Sequence, residues 1–347
     1  MRAIVVRPGT PGAELREHPE PPPDDTTILV EGLALGVCGT DREIAGGAYG
    51  WAPPGCEHLV LGHESLGRVL DAPPASALRD GDLVAGIVRR PDPEPCACCA
   101  AGRWDECRNG RYTERGIKRL DGFGAERWRS EPEFCVAVAP GLESVGVLVE
   151  PASVVAKAWE RIDSLAALSC ASPRTALVTG AGPIGLLAAL LAVQRGFETH
   201  VLDLVTSGPK PELVAALGAT YHAGSLADIA LAADVVVEAT GVGRVAIDVI
   251  HATGPGGIVC LTGVSPAGRT IPVDAAALNR EMVLDNDIVF GSVNAARSHY
   301  EIAADALARA DRSWLEAMIT RREPMKRFAA ALEHREDDVK TVIELAA

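Results

Sequence analysis

The 347-residue sequence lacks the features of a secreted or membrane-spanning chain. Its first residues, 1–6, are predicted to form a strand, without the basic region, apolar core and cleavage site of a signal peptide. The longest apolar run, residues 176–193, is broken by three glycines and a proline, which makes it a poor membrane span. We therefore expect a cytoplasmic protein with no membrane partner.

The sequence also lacks an excess of positive charge, since 33 lysines and arginines stand against 47 aspartates and glutamates. An acidic surface repels the phosphates of nucleic acids, so no nucleic-acid partner is expected. Nine cysteines without a secretory signal argue against a disulfide framework. They indicate a reducing compartment in which thiols are free to bind metal.

The pattern of apolar and polar residues changes at about residue 175. Before it, glycine, proline and short β-like runs such as residues 28–34 predict a β-rich unit. After it, short apolar runs alternate with helical stretches, which predicts βαβ units and a parallel sheet. These runs are residues 176–179, 199–202, 234–238, 257–261 and 287–290. A helix over 298–310 and a strand over 339–343 follow, and we expect this tail to return to the first domain.

A glycine-rich loop, Gly180-Ala181-Gly182-Pro183-Ile184-Gly185, follows the first of these runs and opens a predicted helix over 184–195. Its G-x-G-x-x-G spacing lets the backbone turn tightly and approach a pyrophosphate, which rests on the helix N-terminus. The alternative is a purely structural turn. We assign Gly180, Gly182, Pro183, Ile184 and Gly185 to a dinucleotide site.

Cofactor choice is predicted from Asp203, which ends the next strand about 20 residues further on, where an acid binds the ribose 2′-hydroxyl. No arginine occurs in residues 204–207, and Lys210 is the only cation nearby in the sequence. Because Asp203 would repel a 2′-phosphate, we expect NAD rather than NADP. Thr240, Gly263 and Asn294 are also assigned to the cofactor site.

Cys38, His63 and Glu64 offer the thiol, imidazole and carboxylate that a catalytic zinc uses, with a fourth position left open. His63 follows an apolar run and Gly62, which suggests the tip of a strand. The structural alternative is that Cys38 is a small packing residue and His63 an ordinary core histidine. A dinucleotide site in the same chain favours the catalytic alternative.

Four motifs occur in one order along the chain, namely Cys38-Gly39-Thr40-Asp41, Gly62-His63-Glu64-Ser65-Leu66-Gly67, Gly81-Asp82-Leu83-Val84 and the Gly180 loop. In these motifs the sequence resembles the zinc-dependent medium-chain alcohol dehydrogenases over essentially its whole length. The resemblance implies an α/β chain, in which a Rossmann domain with a doubly wound parallel sheet interrupts a GroES-like β-rich catalytic domain. The expected limits are 1–156, 157–294 and 295–347, with a zinc lobe near 91–110. A homodimer or homotetramer is also implied.

A closer resemblance, to the glucose dehydrogenase branch, rests on Glu114-Arg115-Gly116-Ile117, Glu150-Pro151, Arg280-Glu281-Met282-Val283-Leu284 and Gly291-Ser292-Val293-Asn294. It implies that Cys38, His63 and Glu64 hold the catalytic zinc. Glu150 is then either a further ligand or a neighbour of the metal.

The same resemblance implies that Glu114, Glu150 and Asn294 form hydrogen bonds with sugar hydroxyls. Thr40 matches the hydroxyl of the family's proton relay, and we assign it to the catalytic and substrate sites. Glu43 stands where many relatives have a relay histidine. The later steps of the relay are therefore expected to differ.

Four clustered cysteines, Cys96, Cys98, Cys99 and Cys107, are expected to bind a second, structural zinc ion. Cys96, Cys99 and Cys107 fit the last three places of the family's Cys-x2-Cys-x2-Cys-x7-Cys lobe, whereas the first place falls on Pro93. A closed zinc site needs four ligands, and the fourth is Cys98 or a carboxylate of Asp92 or Glu94. A metal-free, thiol-rich loop is the alternative.

Together these features predict a zinc-dependent, NAD-preferring oxidoreductase that oxidises C1 of a glucose-like aldose to a lactone. Its partner is then a small sugar or polyol. A polyol, aminocyclitol or threonine-type dehydrogenase with the same zinc and NAD chemistry is the first alternative. A non-catalytic NAD-binding protein on a dehydrogenase scaffold is the second.

Overall fold

The computed structural model describes residues 1–170, 172–265, 268 and 270–346. Contacts divide the chain into two compact units. The first, here called the β-rich unit, consists of Met1–Ser153 and Asn294–Ala347. The second, here called the parallel-sheet unit, is Val154–Val293.

The N-terminal segment of the β-rich unit is built mainly from short strands. They are β1 (Arg2–Val6), β2 (Ala13–Glu17), β3 (Ile28–Val37), β4 (Leu59–Val60), β5 (Glu64–Asp71), β6 (Leu83–Gly86), β7 (Arg89–Arg90), β8 (Thr113–Arg115), β9 (Arg119–Leu120), β10 (Arg127–Ser130) and β11 (Cys135–Val138). The helices of this segment are α1 (Gly39–Ala45), α2 (Ala97–Ala100) and the start of α3 (Val149–Ala166). Single 3₁₀ turns occupy Trp104–Glu106, Pro132–Phe134, Pro140–Leu142 and Gly146–Leu148.

The parallel-sheet unit alternates strands and helices. In chain order they are β12 (Thr175–Thr179), α4 (Pro183–Gln194), β13 (Glu198–Asp203), α5 (Pro209–Ala216), β14 (Thr220–Ala223), β15 (Ala233–Glu238), α6 (Gly243–Asp248), β16 (Thr253–Leu261), α7 (Ala275–Asp285) and β17 (Ile288–Gly291). Two 3₁₀ turns lie at Leu226–Asp228 and Val249–Ala252.

The C-terminal segment then contributes α8 (Arg297–Arg309), α9 (Arg312–Met318), β18 (Arg321–Pro324), a 3₁₀ turn at Met325–Arg327, α10 (Phe328–Leu332) and β19 (Thr341–Glu344). Strand β19 pairs antiparallel with β3 and parallel with β18. The end of the chain is therefore hydrogen-bonded into the largest sheet of the β-rich unit.

That largest sheet has the strand order β11-β6-β5-β3-β19-β18, and β10 also pairs with β3. Along most of β3 buried side chains alternate with partly exposed ones, as expected for a strand with one face on a core. The core behind it contains Ile4, Leu35, Leu59 and Phe123, all at most 1% exposed. Two smaller sheets, β2-β1-β4 and β7-β8-β9, complete the unit.

The parallel-sheet unit has six strands in the order β14-β13-β12-β15-β16-β17, all paired in parallel. The predicted parallel sheet of βαβ units is therefore confirmed. The order reverses beside β12, so the carboxyl ends of β12 and β15 flank the crevice where such sheets bind ligands. The predicted helix over 184–195 is α4, Pro183–Gln194, and the predicted helix over 298–310 is α8.

One strand of this sheet, β14, was not predicted. Its residues, Thr220-Tyr221-His222-Ala223, are half-buried or exposed and occupy the sheet edge. An edge strand needs no continuous apolar run, which was the signal used to find the others. Among the described residues no helix is long and apolar enough to cross a membrane.

Candidate functional site

The cluster of Cys38, His63 and Glu64 is created by one strand pairing. Cys38 directly follows β3, and His63 and Glu64 stand at the start of β5. Because these strands are antiparallel, with Gly36 opposite Glu64, the end of one meets the beginning of the other. One ligand atom from each residue lies within 4.8 Å of the other two.

The geometry of this cluster suits a metal ion. Cys38 Sγ and His63 Nε2 are 3.1 Å apart. Zinc–sulfur and zinc–nitrogen bonds of about 2.3 and 2.0 Å place tetrahedral ligand atoms roughly 3.5 Å from each other. Thiol, imidazole and carboxylate are the donors that zinc prefers in catalytic sites. The residues present therefore fit the ion that the sequence implies.

Gly62 gives the backbone the conformation that brings His63 to the cluster. Its φ of +97° lies in the region that favours glycine, and a Cβ there would be 2.5 Å from the Leu35 side chain. The apolar core and the metal cluster thus meet at this residue.

Asp41 orients the imidazole and was not identified from the sequence. Its Oδ1 lies 3.2 Å from His63 Nδ1, and its Oδ2 accepts a hydrogen bond of 2.9 Å from the Cys38 N–H. Metal-bound histidines generally give their other ring nitrogen such a carboxylate partner. Its position in the first turn of α1, three residues after Cys38, was the available signal.

The electrostatic potential at the cluster of Cys38, His63 and Glu64 favours a cation. Burial alone would lower the pKa of His63, but the charges of Asp41 and Cys38 raise it well above its usual value. The same negative potential stabilises a divalent ion bound at Nε2. Thr40, half-buried, donates its N–H to Cys38 Sγ at 3.3 Å.

Glu64 has a second partner that sequence reasoning also missed. Its Oε2 forms an ion pair with Lys340 Nζ, and both side chains are at most 3% exposed. Lys340 Nζ also donates to the Val37 carbonyl oxygen at 3.1 Å. A Cβ on Gly36 would be 2.0 Å from Glu64 Oε2, so this pair requires glycine on β3. The sequence signal for Lys340 was its position next to an apolar strand-like run, Thr341-Val342-Ile343.

Glu150, in the first turn of α3, is buried but lies outside the group of three ligand atoms. Burial raises the pKa of Glu150, the charge of His63 opposes this rise, the charge of Glu64 adds to it, and the net value is about 7. The charges of the cluster therefore influence the pKa of Glu150. Its expected role as a ligand or neighbour of the metal stays a prediction.

Glu114 belongs to a polar network on the strand pair β7–β8. Its Oε1 accepts hydrogen bonds from Arg89 Nε and Nη2 at 3.1 and 2.9 Å, and from Asn294 Nδ2 at 2.8 Å. Arg89 and Glu114 are both buried and directly paired across the strands. Gly116 joins this network to the metal cluster, because a Cβ on it would be 2.3 Å from the Gly62 carbonyl oxygen. Arg89 was not identified from the sequence, since only pairing of the strands reveals its partner.

The cysteine-rich lobe brings together three of the four predicted thiols. The sulfur atoms of Cys96, Cys99 and Cys107 lie within 4.8 Å of one another, with Cys96 and Cys99 at 3.7 Å. Cys98 is not part of this group, although it lies on the same short helix, α2. In the described residues the structure therefore assembles three thiol ligands for a metal in this lobe.

The two carboxylates proposed as alternative fourth ligands are engaged elsewhere. Asp92 Oδ1 accepts a bond of 2.8 Å from the Glu94 N–H, and its Oδ2 lies 3.2 Å from Arg111 Nε. Glu94 Oε2 lies 2.8 Å from Arg111 Nη2. One oxygen of each carboxylate is therefore already paired with Arg111.

The parallel-sheet unit contains a cavity of about 890 Å³ at the carboxyl ends of its strands. Four predicted cofactor residues line it, namely Gly180, Gly182, Asp203 and Thr240. Gly180 has a φ of +90°, and Gly182 caps α4, whose first residues are Pro183, Ile184 and Gly185. A Cβ on Gly185 would be 1.7 Å from the Gly180 carbonyl oxygen, so this glycine is needed for the loop to close.

The other five of the nine predicted cofactor residues do not line this cavity, namely Pro183, Ile184 and Gly185 at the start of α4 and also Gly263 and Asn294. Gly263 follows β16, and Asn294 belongs to the β-rich unit, where it contacts Glu114.

Asp203 is held at the end of β13 by the loop it faces. Its Oδ2 accepts a bond of 2.7 Å from the Ala181 N–H, and Lys210 Nζ lies 3.2 Å away. Burial opposes ionisation of Asp203, but the Ala181 N–H and Lys210 hold its pKa below the usual value. The carboxylate is thus charged, and Asp203 lines the cavity.

A GroES-like β-rich unit with a thiol–imidazole–carboxylate cluster, joined to a nucleotide-binding parallel sheet, defines a zinc-dependent medium-chain dehydrogenase. Comparisons with known proteins agree with this class. Residues 24–140 match the alcohol dehydrogenase GroES-like domain, and residues 143–345 match the glucose dehydrogenase C-terminus.

The chain belongs to the glucose dehydrogenase family of oxidoreductases. It is 38% identical over 359 residues to a glucose 1-dehydrogenase of Methanocella arvoryzae, covering 100% of both chains. It is 39% identical over 356 residues to that of Halobacterium salinarum, covering 99% of both. A solved structure, Haloferax mediterranei glucose dehydrogenase in complex with NADP, Zn and gluconolactone, matches with a TM-score of 0.92 at 34% identity, covering 100% of both chains.

We predict that the substitution Lys340→Met strongly destabilises the fold, because it leaves the Glu64 carboxylate buried without its cation. Removing one partner of a buried pair costs about 3–5 kcal/mol in free energy of unfolding. The matched control is Arg312→Met, since Arg312 pairs with Glu316 on the surface and such pairs contribute about 0–1 kcal/mol. Urea unfolding of the zinc-free protein measures both. Equal midpoints for the two variants would show that the buried pair is energetically irrelevant.

A second prediction concerns the lobe. Because Cys98 stands outside the group of sulfur atoms, Cys98→Ser is expected to retain the lobe's metal and Cys99→Ser to lose one zinc equivalent per chain. Metal content after gel filtration, determined by atomic absorption, tests this. Loss of zinc in Cys98→Ser equal to that in Cys99→Ser would contradict it.

Proposed function

We propose that this protein is a zinc-dependent sugar dehydrogenase that oxidises the C1 hydroxyl of a glucose-like aldose to a lactone. The observation that carries the proposal is the contact between two clusters of the β-rich unit. The Cys38–His63–Glu64 cluster adjoins, through Gly62 and Gly116, the network of Glu114, Arg89 and Asn294. One supplies ligands for a metal, and the other supplies a buried, oriented carboxylate for hydroxyl recognition.

The second oxygen of Glu114 is the natural acceptor for a sugar hydroxyl. Among the described residues the hydrogen bonds of its carboxylate fall on Oε1, where Arg89 and Asn294 fix the orientation. A buried polar group that is left unpaired by a simple alcohol penalises that substrate. This network therefore supports a polyhydroxylated substrate, and the sugar named for the family's relatives fits that description.

In the proposed reaction Cys38, His63 and Glu64 hold the metal, and Asp41 fixes the His63 ring so that Nε2 faces the ion. An ion held there would supply Lewis-acid chemistry, which lowers the pKa of a substrate hydroxyl. With metal and cofactor bound, Thr40 would accept the proton of the substrate hydroxyl and pass its own hydroxyl proton outward to solvent, while the C1–H electron pair would leave as hydride to the nicotinamide. The C1 carbonyl of the lactone forms, and the reduced cofactor and one proton are the other products.

Asp203 supports NAD as the preferred acceptor within this proposal. A carboxylate accepts hydrogen bonds from both ribose hydroxyls, whereas a 2′-phosphate about 4 Å away is opposed by about 4 kcal/mol at an effective dielectric constant of 20. Lys210, at 3.2 Å from Asp203, attenuates this repulsion. The Haloferax mediterranei relative was solved with NADP, which makes cofactor choice a point for direct measurement.

Initial rates with zinc-loaded enzyme test the substrate. We expect kcat/KM to be largest for a glucose-like aldose among aldoses, polyols, aminocyclitols, threonine and simple alcohols. Glu114→Gln should raise the KM for the aldose roughly tenfold, because a hydrogen bond to a charged group contributes about 1.5–3 kcal/mol. A larger kcat/KM for a polyol, cyclitol or threonine would favour that dehydrogenase class, and cofactor binding without turnover would favour a non-catalytic protein.

The same assay with both cofactors tests Asp203. The unmodified enzyme should show a kcat/KM for NAD at least tenfold above that for NADP, since about 1.4 kcal/mol suffices for that ratio. Asp203→Asn should move the ratio toward NADP, and Lys210→Met should move it further toward NAD. A larger kcat/KM for NADP in the unmodified enzyme would refute the preference.

A further inference from the structure

Glu238 is a fully buried carboxylate at the carboxyl end of β15. Its Oε1 accepts bonds of 2.7 Å from the Thr240 N–H and 3.1 Å from the Gly241 N–H, and it also accepts the Thr240 hydroxyl. Thr240 Oγ1 in turn accepts a bond of 3.0 Å from the Val242 N–H. A single side chain thereby organises the whole turn over 239–242.

No cationic side chain in the described part of the chain pairs with Glu238. Burying a carboxylate without a counter-ion is costly, and here only main-chain donors and one hydroxyl offset that cost. A residue that merely filled this space would be apolar. The carboxylate of Glu238 is therefore best explained by its hydrogen bonds to the turn over 239–242.

The turn forms part of the wall of the cavity at the carboxyl edge of the sheet. Ala239, Thr240 and Val242 line the cavity together with Gly180. The Ala239 N–H donates to the Thr179 carbonyl oxygen at 2.9 Å, and a Cβ on Gly180 would be 3.0 Å from Thr240 Cγ2. The turn thus packs directly against the glycine-rich loop.

Glu238 also binds the segment that follows β16. Its carbonyl oxygen accepts the Thr262 N–H at 2.8 Å, the Thr262 hydroxyl at 2.7 Å and the Gly263 N–H at 3.1 Å. A Cβ on Gly263 would lie 2.1 Å from the Gly241 nitrogen and 2.7 Å from Glu238 Oε2. Hydrogen bonds of Glu238 and of its neighbour Ala239 therefore hold the ends of β12, β15 and β16 together.

We propose that Glu238 is a positioning residue of the dinucleotide site, acting through Thr240 to hold the 239–242 turn in the shape that receives the cofactor. The inference rests on the proposed function, because it takes the cavity to be the nicotinamide dinucleotide site. Glu238 itself faces the turn and not the ligand, so its loss should weaken binding of the cofactor without altering the chemistry of the substrate.

The test is the dissociation constant of NAD and of NADP, measured by isothermal titration calorimetry on zinc-loaded protein without sugar. Glu238→Gln keeps the shape but loses the charge, and it should raise the constant of the preferred cofactor roughly tenfold. Zinc content, the KM for the aldose and kcat at saturating cofactor should stay within twofold. Glu198→Gln is the control, because Glu198 is exposed at the amino end of β13, the opposite edge of the sheet.

Thr240 variants show whether Glu238 acts through this residue. Thr240→Val should weaken cofactor binding at least as much as Glu238→Gln, and the double variant should be no worse than Thr240→Val alone, because both changes act on the same contact between Glu238 and Thr240. Thr240→Ser, which keeps the hydroxyl, should bind almost normally.

The proposal is overturned if Glu238→Gln and Thr240→Val bind the cofactor as tightly as the unmodified protein. If Glu238→Gln fails to fold, Thr240→Val alone decides in the same way. The outcome for the proposed function stays separate, since it fails only if the unmodified protein binds neither NAD nor NADP or turns over no sugar.

Discussion

The antiparallel register of β3 and β5 is the constraint on which the metal cluster depends. It places Gly36 opposite Glu64, and this single pairing brings Cys38 to His63 across 25 residues of sequence. The absence of a side chain on Gly36 opens the space that the Glu64 carboxylate occupies beside Lys340. A shift of one residue would send Glu64 to the other face of the sheet. Backbone register, and not any local motif, therefore determines the site.

Lys340 carries the same constraint to the end of the chain. It immediately precedes β19, whose pairing with β3 puts Thr341 opposite Val37. Lys340 contacts both Glu64 and the Val37 carbonyl oxygen. The positive charge beside the cluster is therefore in place only when the last strand is paired with β3. The parallel-sheet unit uses a different device, since Glu238 is held by N–H groups and a hydroxyl and not by a cation.

The sequence was informative wherever function needs a local pattern. The glycine-rich loop, the alternation of strands and helices, and the pair His63–Glu64 are readable because neighbours in sequence are neighbours in space. Lys340, Arg89 and the edge strand β14 were not found, because their meaning comes from partners far along the chain or from a position at the sheet edge. Cys98 shows the limit in the other direction, since a place in a cluster of cysteines along the sequence does not by itself bring a sulfur atom into the group of Cys96, Cys99 and Cys107.

The charges around the metal cluster explain why a lysine belongs there. Cys38 as thiolate, Asp41 and Glu64 are anionic when a divalent ion is bound, and Lys340 cancels one of these charges. The ion and the lysine together would then balance these three anions, with the buried Glu150 as a further titratable group that interacts with the cluster. An excess of negative charge would weaken the ion as a Lewis acid and oppose an alkoxide, whereas a neutral site favours the alkoxide as it forms. In this arrangement the contact of Lys340 with Glu64 stabilises the buried carboxylate, and with a metal bound as proposed the same contact would also tune the charge at the ion.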